Sequence, residues 1–308
     1  MSGPTAKVWI DGGVIEAADA RIPVTDHGLL YGDGVFEGIR IYRGGLFRLD
    51  RHLARLAVGL KALALEPPGG VDAIREIVLA TARAYGEREA YVRLVVTRGE
   101  GALGVDPTTC GDPRVFCLVD RVAIYPEARL RDGIDLVTSS LRRPPSDVLD
   151  PRVKSLNYLN NALAKLEARR AGADEALLLN AAGQVAEASV ANVFAVCDGA
   201  LLTPPASDGA LEGITRGTLL ELAEGLGIVA GSRTLGRIDL LGASEVFLSG
   251  SGAGLVPVRR LDGRLIGGEA PGPVFERLRE AFLAALPDLV VPFASDSIRA
   301  MPGSGPRS

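Results

Sequence analysis

Residues 176–203 have the sequence ALLLNAAGQVAEASVANVFAVCDGALLT, in which four short apolar runs alternate with turn residues. Asn180-Ala-Ala-Gly183 and Asp198-Gly199 are turn sequences of the kind that close tight hairpins. The apolar runs cover residues 176–179, 184–188, 193–196 and 200–203. This stretch therefore predicts a meander of β-strands joined by hairpins.

On both sides of this stretch the sequence mixes strand and helix patterns, which predicts the α+β class. Upstream, leucine and isoleucine recur at helical spacing in residues 51–65 and 71–85, so two amphipathic helices are expected to cover a small sheet. Further helices are predicted downstream at about residues 155–170, after Gly213, and at residues 273–285.

The segment 123–133, AIYPEARLRDG, combines a proline, several charges and a closing glycine, which is typical of a domain boundary. We therefore expect a small α/β domain over residues 1–120, an interdomain loop over 121–133 and a larger domain over 134–295. Residues 296–308 are rich in glycine and proline and are expected to be a disordered tail.

Composition excludes several classes of protein. Of the 308 residues, 47% are hydrophobic and 23% are charged, and the formal net charge is −4. A chain without basic blocks is not expected to bind nucleic acid, and no run approaches the roughly 18 apolar residues of a membrane span. We expect a soluble, cytoplasmic protein without a metal site, in which Cys110, Cys117 and Cys197 are buried thiols.

Lys154 lies in the segment 150–162, DPRVKSLNYLNNA, just before a predicted helix. If Ser155 caps that helix, the positive end of the helix dipole opposes the charge of Lys154 and favours the neutral amine that a nucleophilic lysine needs. Most lysines are solvated surface residues. Tyr158 and the asparagines at 157, 160 and 161 instead indicate a functional site, because asparagine is a poor helix former.

Glu187 is flanked by small residues in the predicted strand 184–188. A carboxylate in an apolar strand either faces water or is paired with a cation inside the protein. Composition alone favours exposure, and the sequence leaves both alternatives open.

Two glycine-containing segments could bind an anion. In residues 211–220, LEGITRGTLL, Gly213 precedes a helix start, so free N–H groups and the Thr215 hydroxyl can converge on a phosphate. In residues 245–258, EVFLSGSGAGLVPV, a glycine-rich loop follows a strand but lacks the dinucleotide fingerprint. Arg51 opens an early helix and could supply a cation, or could form a surface ion pair. Each glycine-containing segment alone is weak evidence for an anion site, since tight turns account for most glycines of this kind.

Six motifs occur in order over residues 5–290. Three of them are Phe36-Glu-Gly-Ile-Arg40, Arg51-His-Leu-Ala-Arg-Leu56 and Lys154-Ser-Leu-Asn-Tyr158. The others are Glu187-Ala-Ser-Val-Ala-Asn-Val-Phe194, Gly213-Ile-Thr-Arg216 and Ser249-Gly-Ser-Gly-Ala253. Together they resemble the branched-chain aminotransferase family, which are class IV aminotransferases with the fold-type IV architecture of pyridoxal-phosphate enzymes. The resemblance implies two domains with mixed sheets, the larger of which binds the cofactor.

The resemblance implies a site for pyridoxal 5'-phosphate. It makes Lys154 the residue that binds the cofactor covalently and shuttles protons, Glu187 the partner of the pyridine nitrogen and Tyr158 the partner of the phenolic oxygen. It assigns the phosphate to Arg51, Ile214, Thr215 and Ser251. It assigns the substrate to Tyr31, Phe36, Gly38, Arg40, Tyr91, Arg93, Gly252 and Ala253.

The resemblance also implies a reaction and an assembly. We expect ping-pong transfer of the amino group of branched-chain L-amino acids (Leu, Ile and Val) to a 2-oxo acid, 2-oxoglutarate in particular. The partners are therefore small amino acids and 2-oxo acids. A homodimer or a higher homo-oligomer is expected, with sites near the interface.

The substrate loop departs from the family pattern, which leaves rival activities open. Residues 251–254, Ser-Gly-Ala-Gly, stand where the family has Thr-Ala-Ala-Glu, so a hydroxyl is kept and a carboxylate is lost. Val96-Thr-Arg98-Gly99 is similar to D-amino-acid aminotransferases, where an arginine near this position binds the substrate carboxylate, so Arg98 is a further candidate. A D-amino-acid aminotransferase, an (R)-amine transaminase and an aminodeoxychorismate lyase remain alternatives on this fold. A non-catalytic phosphate- or cofactor-binding module is an alternative of another class.

Overall fold

The computed structural model describes residues 5–268 and 270–293. The elements of the first part of the chain are β1 (Lys7–Ile10), β2 (Gly13–Glu16), α1 (His27–Tyr31), β3 (Gly34–Tyr42), β4 (Gly45–Phe47), α2 (Leu49–Ala62), α3 (Gly70–Tyr85), β5 (Ala90–Thr97) and β6 (Arg114–Asp120). Both amphipathic helices predicted here, α2 and α3, are therefore present.

The second part of the chain is also a mixture of strands and helices, and the predicted α+β class is confirmed. Its elements are α4 (Glu127–Asp132), β7 (Ile134–Arg142), α5 (Leu159–Arg170), β8 (Glu175–Leu179), β9 (Val185–Ala188), β10 (Asn192–Cys197), β11 (Ala200–Thr203), α6 (Ile214–Gly225), β12 (Ala230–Ser232), α7 (Arg237–Gly242), β13 (Glu245–Gly250), β14 (Gly254–Leu261), β15 (Arg264–Leu265), α8 (Pro273–Leu289) and β16 (Val290–Pro292).

The first sheet has the strand order β16-β4-β3-β5-β6-β1-β2, and its neighbouring strands are antiparallel. In the register of β3 with β5, Gly38 lies opposite Arg93 and Arg40 lies opposite Tyr91. Because alternate residues of a strand point to opposite faces, Phe36 shares one face of the sheet with these four residues. Five of the predicted substrate residues therefore lie together.

The opposite face of β3 packs against α2 and α3. Ile39 is fully buried against this helix layer, together with Leu53 and Leu56 of α2 and Ile74 and Val78 of α3. Burying a side chain of this size contributes about 1.5–3 kcal/mol. This core holds β3 and β5 rigidly, so the polar face on their other side has a firm support.

The second sheet has the strand order β12-β11-β10-β13-β14-β7-β8-β9, with β15 added to β14. Residues 176–203 form two hairpins, β8–β9 and β10–β11, but β10 pairs with β13 and not with β9. The predicted meander is therefore interrupted in the middle. Helices α6 and α8 cover one face, where Phe194 stacks on Phe247 and Phe275 contacts Phe247 edge-on.

Helix α5 begins at Leu159, four residues later than the predicted start near Ser155. Its buried residues include Ala164 and Ala168, which pack on β7 and β8. The leucines at 159, 163 and 166, which recur at helical spacing, are 70%, 44% and 44% exposed. Small alanines let the helix approach the sheet closely, which leaves its leucine stripe on the surface of the single chain.

The division into domains at residues 120 and 134 stays a prediction, and two details bear on it. The predicted interdomain loop contains helix α4, and β16 at the end of the predicted large domain pairs with β4 of the first sheet. The predicted disordered tail, residues 296–308, lies outside the described residues. Within residues 5–268 and 270–293, no helix is both long and apolar enough to span a membrane.

Candidate active site

A pocket lies where the polar face of the first sheet meets the second sheet. The first sheet and its helices contribute Gly38, Tyr91 and Arg55. The second half of the chain contributes Lys154, Tyr158 and three segments, residues 187–192, 211–215 and 249–252, from which most of the other lining residues come. Each of these segments contains one of the sequence motifs, so the motifs converge in space although they are far apart in the chain.

Lys154 lies in an extended segment that runs beside β3. Its carbonyl oxygen accepts a hydrogen bond from the N–H of Phe36 (2.9 Å), and the N–H of Leu156 donates to the carbonyl of Gly34 (2.9 Å). The Lys154 Nζ donates to Tyr158 Oη at 2.9 Å and lies 4.4 Å from the centre of the Phe36 ring. The amine is therefore aimed into the pocket by the backbone pairing with β3.

The expectation that a helix dipole acts on Lys154 is wrong. Ser155 is buried and forms an isolated β-bridge with Val35, so it does not cap a helix. Helix α5 starts only at Leu159, and dipole effects are confined to the first turn of a helix. The hydroxyl of Tyr158 and the aromatic ring of Phe36 are instead the groups that surround the amine.

Glu187 is buried in β9, so the exposure that composition favoured is excluded. Its Oε1 pairs with Arg143 Nη2 at 2.9 Å, and its Oε2 accepts hydrogen bonds from the N–H of Leu211 (3.0 Å) and from Asn192 Nδ2 (3.3 Å). Burial raises the pKa of Glu187 above its ordinary value, and the positive charge of Arg143 offsets only part of this effect. A second cation on the pocket side would therefore stabilise the ionised carboxylate.

Arg143 is a site residue that the sequence analysis missed. Besides the ion pair with Glu187, its guanidinium donates to the carbonyl of Gly209 (3.2 Å) and to Asn161 Oδ1 (3.1 Å). Asn161 in turn donates to the carbonyl of Ser189 at 2.7 Å, which lies in the pocket wall. The available signal was chemical: a carboxylate in an apolar strand needs a cation, and Arg143 follows directly after the end of β7.

The N-terminus of α6 forms another wall of the pocket. The helix begins at Ile214 after Gly213, which has no side chain to cap the first N–H groups. The hydroxyl oxygens of Thr215 and Ser249 are buried and have no hydrogen-bond partner among the residues that the structure describes. Free N–H groups beside unpartnered hydroxyls form a site suited to a phosphate group.

The assignment of Arg51 to this phosphate site is wrong, and Arg55 takes its place. Arg51 pairs with Glu221 at 2.5 Å and does not line the pocket, which is the surface alternative that the sequence left open. Arg55 lies one helical turn further along α2 and lines the pocket. Both arginines belong to the same motif and lie on the same face of α2, so their position along the helix axis decides between them.

Buried polar groups hold Arg55 in place. Glu37 accepts from Arg55 Nε (2.8 Å) and Nη2 (2.7 Å), and the pair is bidentate. His52 Nδ1 lies 2.7 Å from the same carboxylate, and His52 Nε2 lies 3.4 Å from Ser251 Oγ. Burial alone would raise the pKa of Glu37, but Arg55 and His52 hold that pKa at about 2. Glu37 is therefore ionised, and it fixes the guanidinium that faces the pocket.

The substrate side of the pocket is built from aromatic rings and a cation. A Cβ added at Gly38 would clash with the hydroxyl of Tyr91, so only glycine lets this phenol lie over the strand. The Arg93 guanidinium lies 4.5 Å from the centre of the Phe36 ring and 5.6 Å from that of Tyr91. A cation held by stacking keeps its charge free for a carboxylate.

The family described as amino-transferase class IV matches residues 34–261 of the chain. The chain is 45% identical over 276 residues to the putative branched-chain-amino-acid aminotransferase of Methanocaldococcus jannaschii, covering 90% of this chain and 95% of the relative. It is 35% identical over 281 residues to the branched-chain-amino-acid aminotransferase of Escherichia coli K12, covering 89% and 91%. The chain belongs to the class IV aminotransferase family.

A solved structure supports the same conclusion and confirms the predicted fold-type IV architecture. The T.th. branched-chain amino acid aminotransferase, solved with pyridoxamine 5'-phosphate, superimposes with a TM-score of 0.89 at 36% identity, covering 95% of this chain and 100% of that chain. The same enzyme has been solved with N-(5'-phosphopyridoxyl)-L-glutamate and with 4-methylvaleric acid.

Three predicted substrate residues of this class IV aminotransferase, namely Gly38, Tyr91 and Gly252, line the pocket directly. Phe36 and Arg93 are not in the lining itself but lie beside it, since the Phe36 ring contacts the Lys154 amine and Arg93 stacks on both aromatic rings. The structure therefore brings these five predicted residues to the same side of the pocket.

The other four predicted substrate residues do not line the pocket in the single chain, although Arg40 shares the sheet face of Phe36 and Gly38. Arg98 is engaged by Asp33 (Nε to Oδ2, 2.9 Å), so its assignment to the substrate carboxylate is wrong for the single chain. The Oη of Tyr31 accepts from the N–H of Gly104 at 2.8 Å. The Arg40 guanidinium lies 5.5 Å from the centre of the Tyr42 ring. Ala253 packs on the core of the second sheet.

Proposed function

We propose that this class IV aminotransferase transfers the amino group of branched-chain L-amino acids (Leu, Ile and Val) to 2-oxoglutarate by a ping-pong mechanism with pyridoxal 5'-phosphate as its cofactor. One observation carries the proposal: the amine of Lys154, the carboxylate of Glu187 and the unpartnered hydroxyl of Thr215 line a single pocket among the described residues. The named activity of the relatives supports the choice of substrate.

The residues around the pocket fit pyridoxal 5'-phosphate. Arg55, the N-terminus of α6 and the Thr215 hydroxyl would hold its phosphate, because they offer positive charge, free N–H groups and an unsatisfied donor. Glu187 would hold its ring nitrogen, since a protonated nitrogen supplies the second cation that the buried carboxylate lacks. Tyr158 would hold its phenolic oxygen.

Pyridoxal phosphate supplies an aldehyde that condenses with amines and a protonated ring that stabilises negative charge on the substrate Cα. The residues of the chain do the rest. The Lys154 amine removes the Cα proton as a general base and returns it to the neighbouring carbon, for which it needs to be neutral and mobile. Tyr158 keeps the amine directed into the pocket through its hydrogen bond at 2.9 Å. Glu187 retains the proton on the ring nitrogen.

The aromatic and cationic side of the pocket suits both substrates. Phe36 and Tyr91 offer an apolar surface to a branched aliphatic side chain, while Arg93 carries a positive charge that forms no ion pair with the described residues. Such a charge can bind the distal carboxylate of 2-oxoglutarate. The enzyme binds a substrate with an apolar side chain and one with an acidic side chain in turn. Both the apolar surface and the positive charge must therefore lie close to the Lys154 amine.

A half-reaction scan tests the donor. The purified protein loaded with pyridoxal phosphate is mixed with L-leucine, L-glutamate, D-alanine or a simple amine, without any 2-oxo acid. We expect the visible absorbance of the bound cofactor to disappear with L-leucine and L-glutamate only, because Arg98 is occupied by Asp33 and is not free to bind a D-amino acid. Loss of absorbance with D-alanine alone would contradict the proposed donor. A protein that stays colourless with added cofactor would favour the non-catalytic alternative.

The exposed apolar residues support a homodimer or a higher homo-oligomer. The leucine stripe of α5 (Leu159, Leu163 and Leu166) is exposed, and Leu103 and Val105 are 85% and 79% exposed. Monomeric proteins seldom leave such clusters uncovered, and self-association is the commonest way to bury them. Sedimentation equilibrium is expected to give a multiple of the 32.2 kDa chain mass, and a mass of one chain would contradict the proposal.

A cytoplasmic location is also proposed. Cys110, Cys117 and Cys197 are free thiols, as is usual in a reducing compartment.

A further inference from the structure

We propose that Tyr125 and Glu175 are positioning residues for the substrate side of the pocket. Tyr125, held by the buried carboxylate of Glu175, fixes the segment 121–126 and thereby holds Ile124 against the substrate loop at Gly252. Glu175 also holds Ser189 in the pocket wall. The inference rests on the proposed function in one respect, namely that the substrate enters beside Gly252.

Tyr125 anchors the segment 121–126 through its buried ring and its hydroxyl. It is 4% exposed, although it lies in the segment that the sequence pattern marked as an interdomain loop. Its hydroxyl donates to Glu175 Oε2 at 2.6 Å, a short hydrogen bond to a charged acceptor. Burial and the neighbouring negative charge of Glu175 both raise the pKa of Tyr125, so the phenol stays protonated and remains a donor.

Glu175 lies at the start of β8 and is fully buried, so its carboxylate must be satisfied inside the protein. Lys165 Nζ donates to Oε2 at 2.7 Å and lies 5.1 Å from the centre of the Tyr125 ring. The N–H of Ala176 donates to Oε1 at 2.8 Å, and the Ser189 hydroxyl donates to the same oxygen. One carboxylate therefore holds the segment through one oxygen and the pocket wall through the other.

Ile124 joins this anchor to the substrate loop. A Cβ added at Gly252 would lie 2.9 Å from Ile124 Cδ1 and 3.4 Å from Tyr91 Cε2, so the isoleucine fills the space beside the glycine. Ile124 is partly buried and packs on the same core as Ala253. Its position depends on Tyr125, the next residue, and it lies behind the part of the pocket that Tyr91 and Gly252 line.

The test compares Tyr125→Phe with Tyr42→Phe in the full-length enzyme loaded with pyridoxal phosphate. Tyr125→Phe removes one hydroxyl and leaves Glu175 bonded to Lys165, Ser189 and Ala176. We expect the KM for L-leucine to rise about five- to tenfold, which corresponds to one lost hydrogen bond, with kcat and cofactor affinity nearly unchanged. Tyr42 is the matched control, because its ring packs against Phe47 and Phe282, away from the pocket and from residues 121–133. An unchanged KM in Tyr125→Phe, or an equal rise in Tyr42→Phe, overturns the proposal.

Amide hydrogen exchange separates this inference from the proposed function. In the absence of substrate, exchange over residues 121–133 is expected to be faster in Tyr125→Phe than in the unaltered protein, and unchanged in Tyr42→Phe. Equal exchange in all three proteins overturns the anchoring. A failure of the unaltered protein to transaminate L-leucine would instead contradict the proposed function and leave this comparison valid.

A second pair of variants tests the position of Ile124 without altering the anchor. Gly252→Ala is expected to raise the KM for L-leucine, because the new Cβ displaces Ile124. Ile124→Val removes the Cδ1 atom that this Cβ would meet, so the double variant is expected to recover most of the loss. A double variant with no recovery overturns the placement of Ile124 at the substrate loop.

Discussion

Replacing Lys154 with alanine is expected to abolish transamination, with a fall in kcat of about 10⁴-fold or more, since the variant loses both the nucleophile and the general base. The Lys154 Nζ is the only lysine amine that lines the pocket among the described residues. Tyr158, its hydrogen-bond partner, is a phenol and cannot form the same bond to a carbonyl carbon. Turnover is measured with L-leucine and 2-oxoglutarate by following the oxo-acid product.

Lys61→Ala serves as the matched control, because Lys61 is an exposed lysine of α2 outside the pocket. The Lys154→Ala protein should keep its circular dichroism spectrum, since the backbone of residue 154 still pairs with Phe36. Addition of a small primary amine should restore part of the activity, which a merely structural defect would not allow. A Lys154→Ala enzyme within about tenfold of normal turnover would contradict the role of general base.

The predicted site residues that the structure brings to the pocket have simple sequence features in common. Strand alternation places Phe36, Gly38 and Tyr91 on one face, and this follows from a period of two that any strand obeys. Lys154 was indicated by its neighbours, Tyr158 and the asparagines, and Glu187 gained its role only from the motif in which it stands. Such features are local, and a single sequence contains them.

The site residues that were misassigned or missed from the sequence depend on contacts between distant segments of the chain. Arg51 and Arg55 are one helical turn apart on the same face of α2, and only the tertiary structure shows which turn of the helix reaches the pocket. Arg98 was a plausible carboxylate ligand until Asp33 was found to occupy it. Arg143 pairs with a glutamate 44 positions later in the chain, and no periodic pattern links the two.

Helix α5 shows a different limit. Its leucines recur at helical spacing, which predicts a buried stripe, yet alanines form its packed face. An apolar stripe on a helix predicts that this face is buried, but it does not show whether the partner is the same chain or another chain. The exposed leucines therefore support association with a second copy of the chain.

Replacing Glu187 with glutamine is expected to lower kcat by about 10²–10³-fold while cofactor binding persists, because the amide keeps the shape of the side chain and loses its charge. A neutral amide cannot hold a proton on the ring nitrogen, so negative charge on the substrate Cα is stabilised less. Lys154 and the phosphate end of the pocket are untouched, so the protein should remain coloured. Rates of the half-reaction with L-leucine, measured by stopped-flow absorbance, give the size of the effect directly.

The same substitution removes the partner of Arg143, which is why stability must be measured beside activity. A buried charge left without its partner costs about 3–5 kcal/mol, and thermal denaturation should show this loss. Glu187→Asp separates the two effects, since it keeps the charge and merely shortens the reach to Arg143 and to the pocket. We expect Glu187→Asp to lose far less activity than Glu187→Gln. Burial raises the pKa of Glu187, so the carboxylate needs a positive partner to stay ionised. If the charge is what matters, Glu187→Asp should keep most of the activity. Equal losses of activity in Glu187→Asp and Glu187→Gln would mean that the fit of the side chain, and not its charge, limits the reaction.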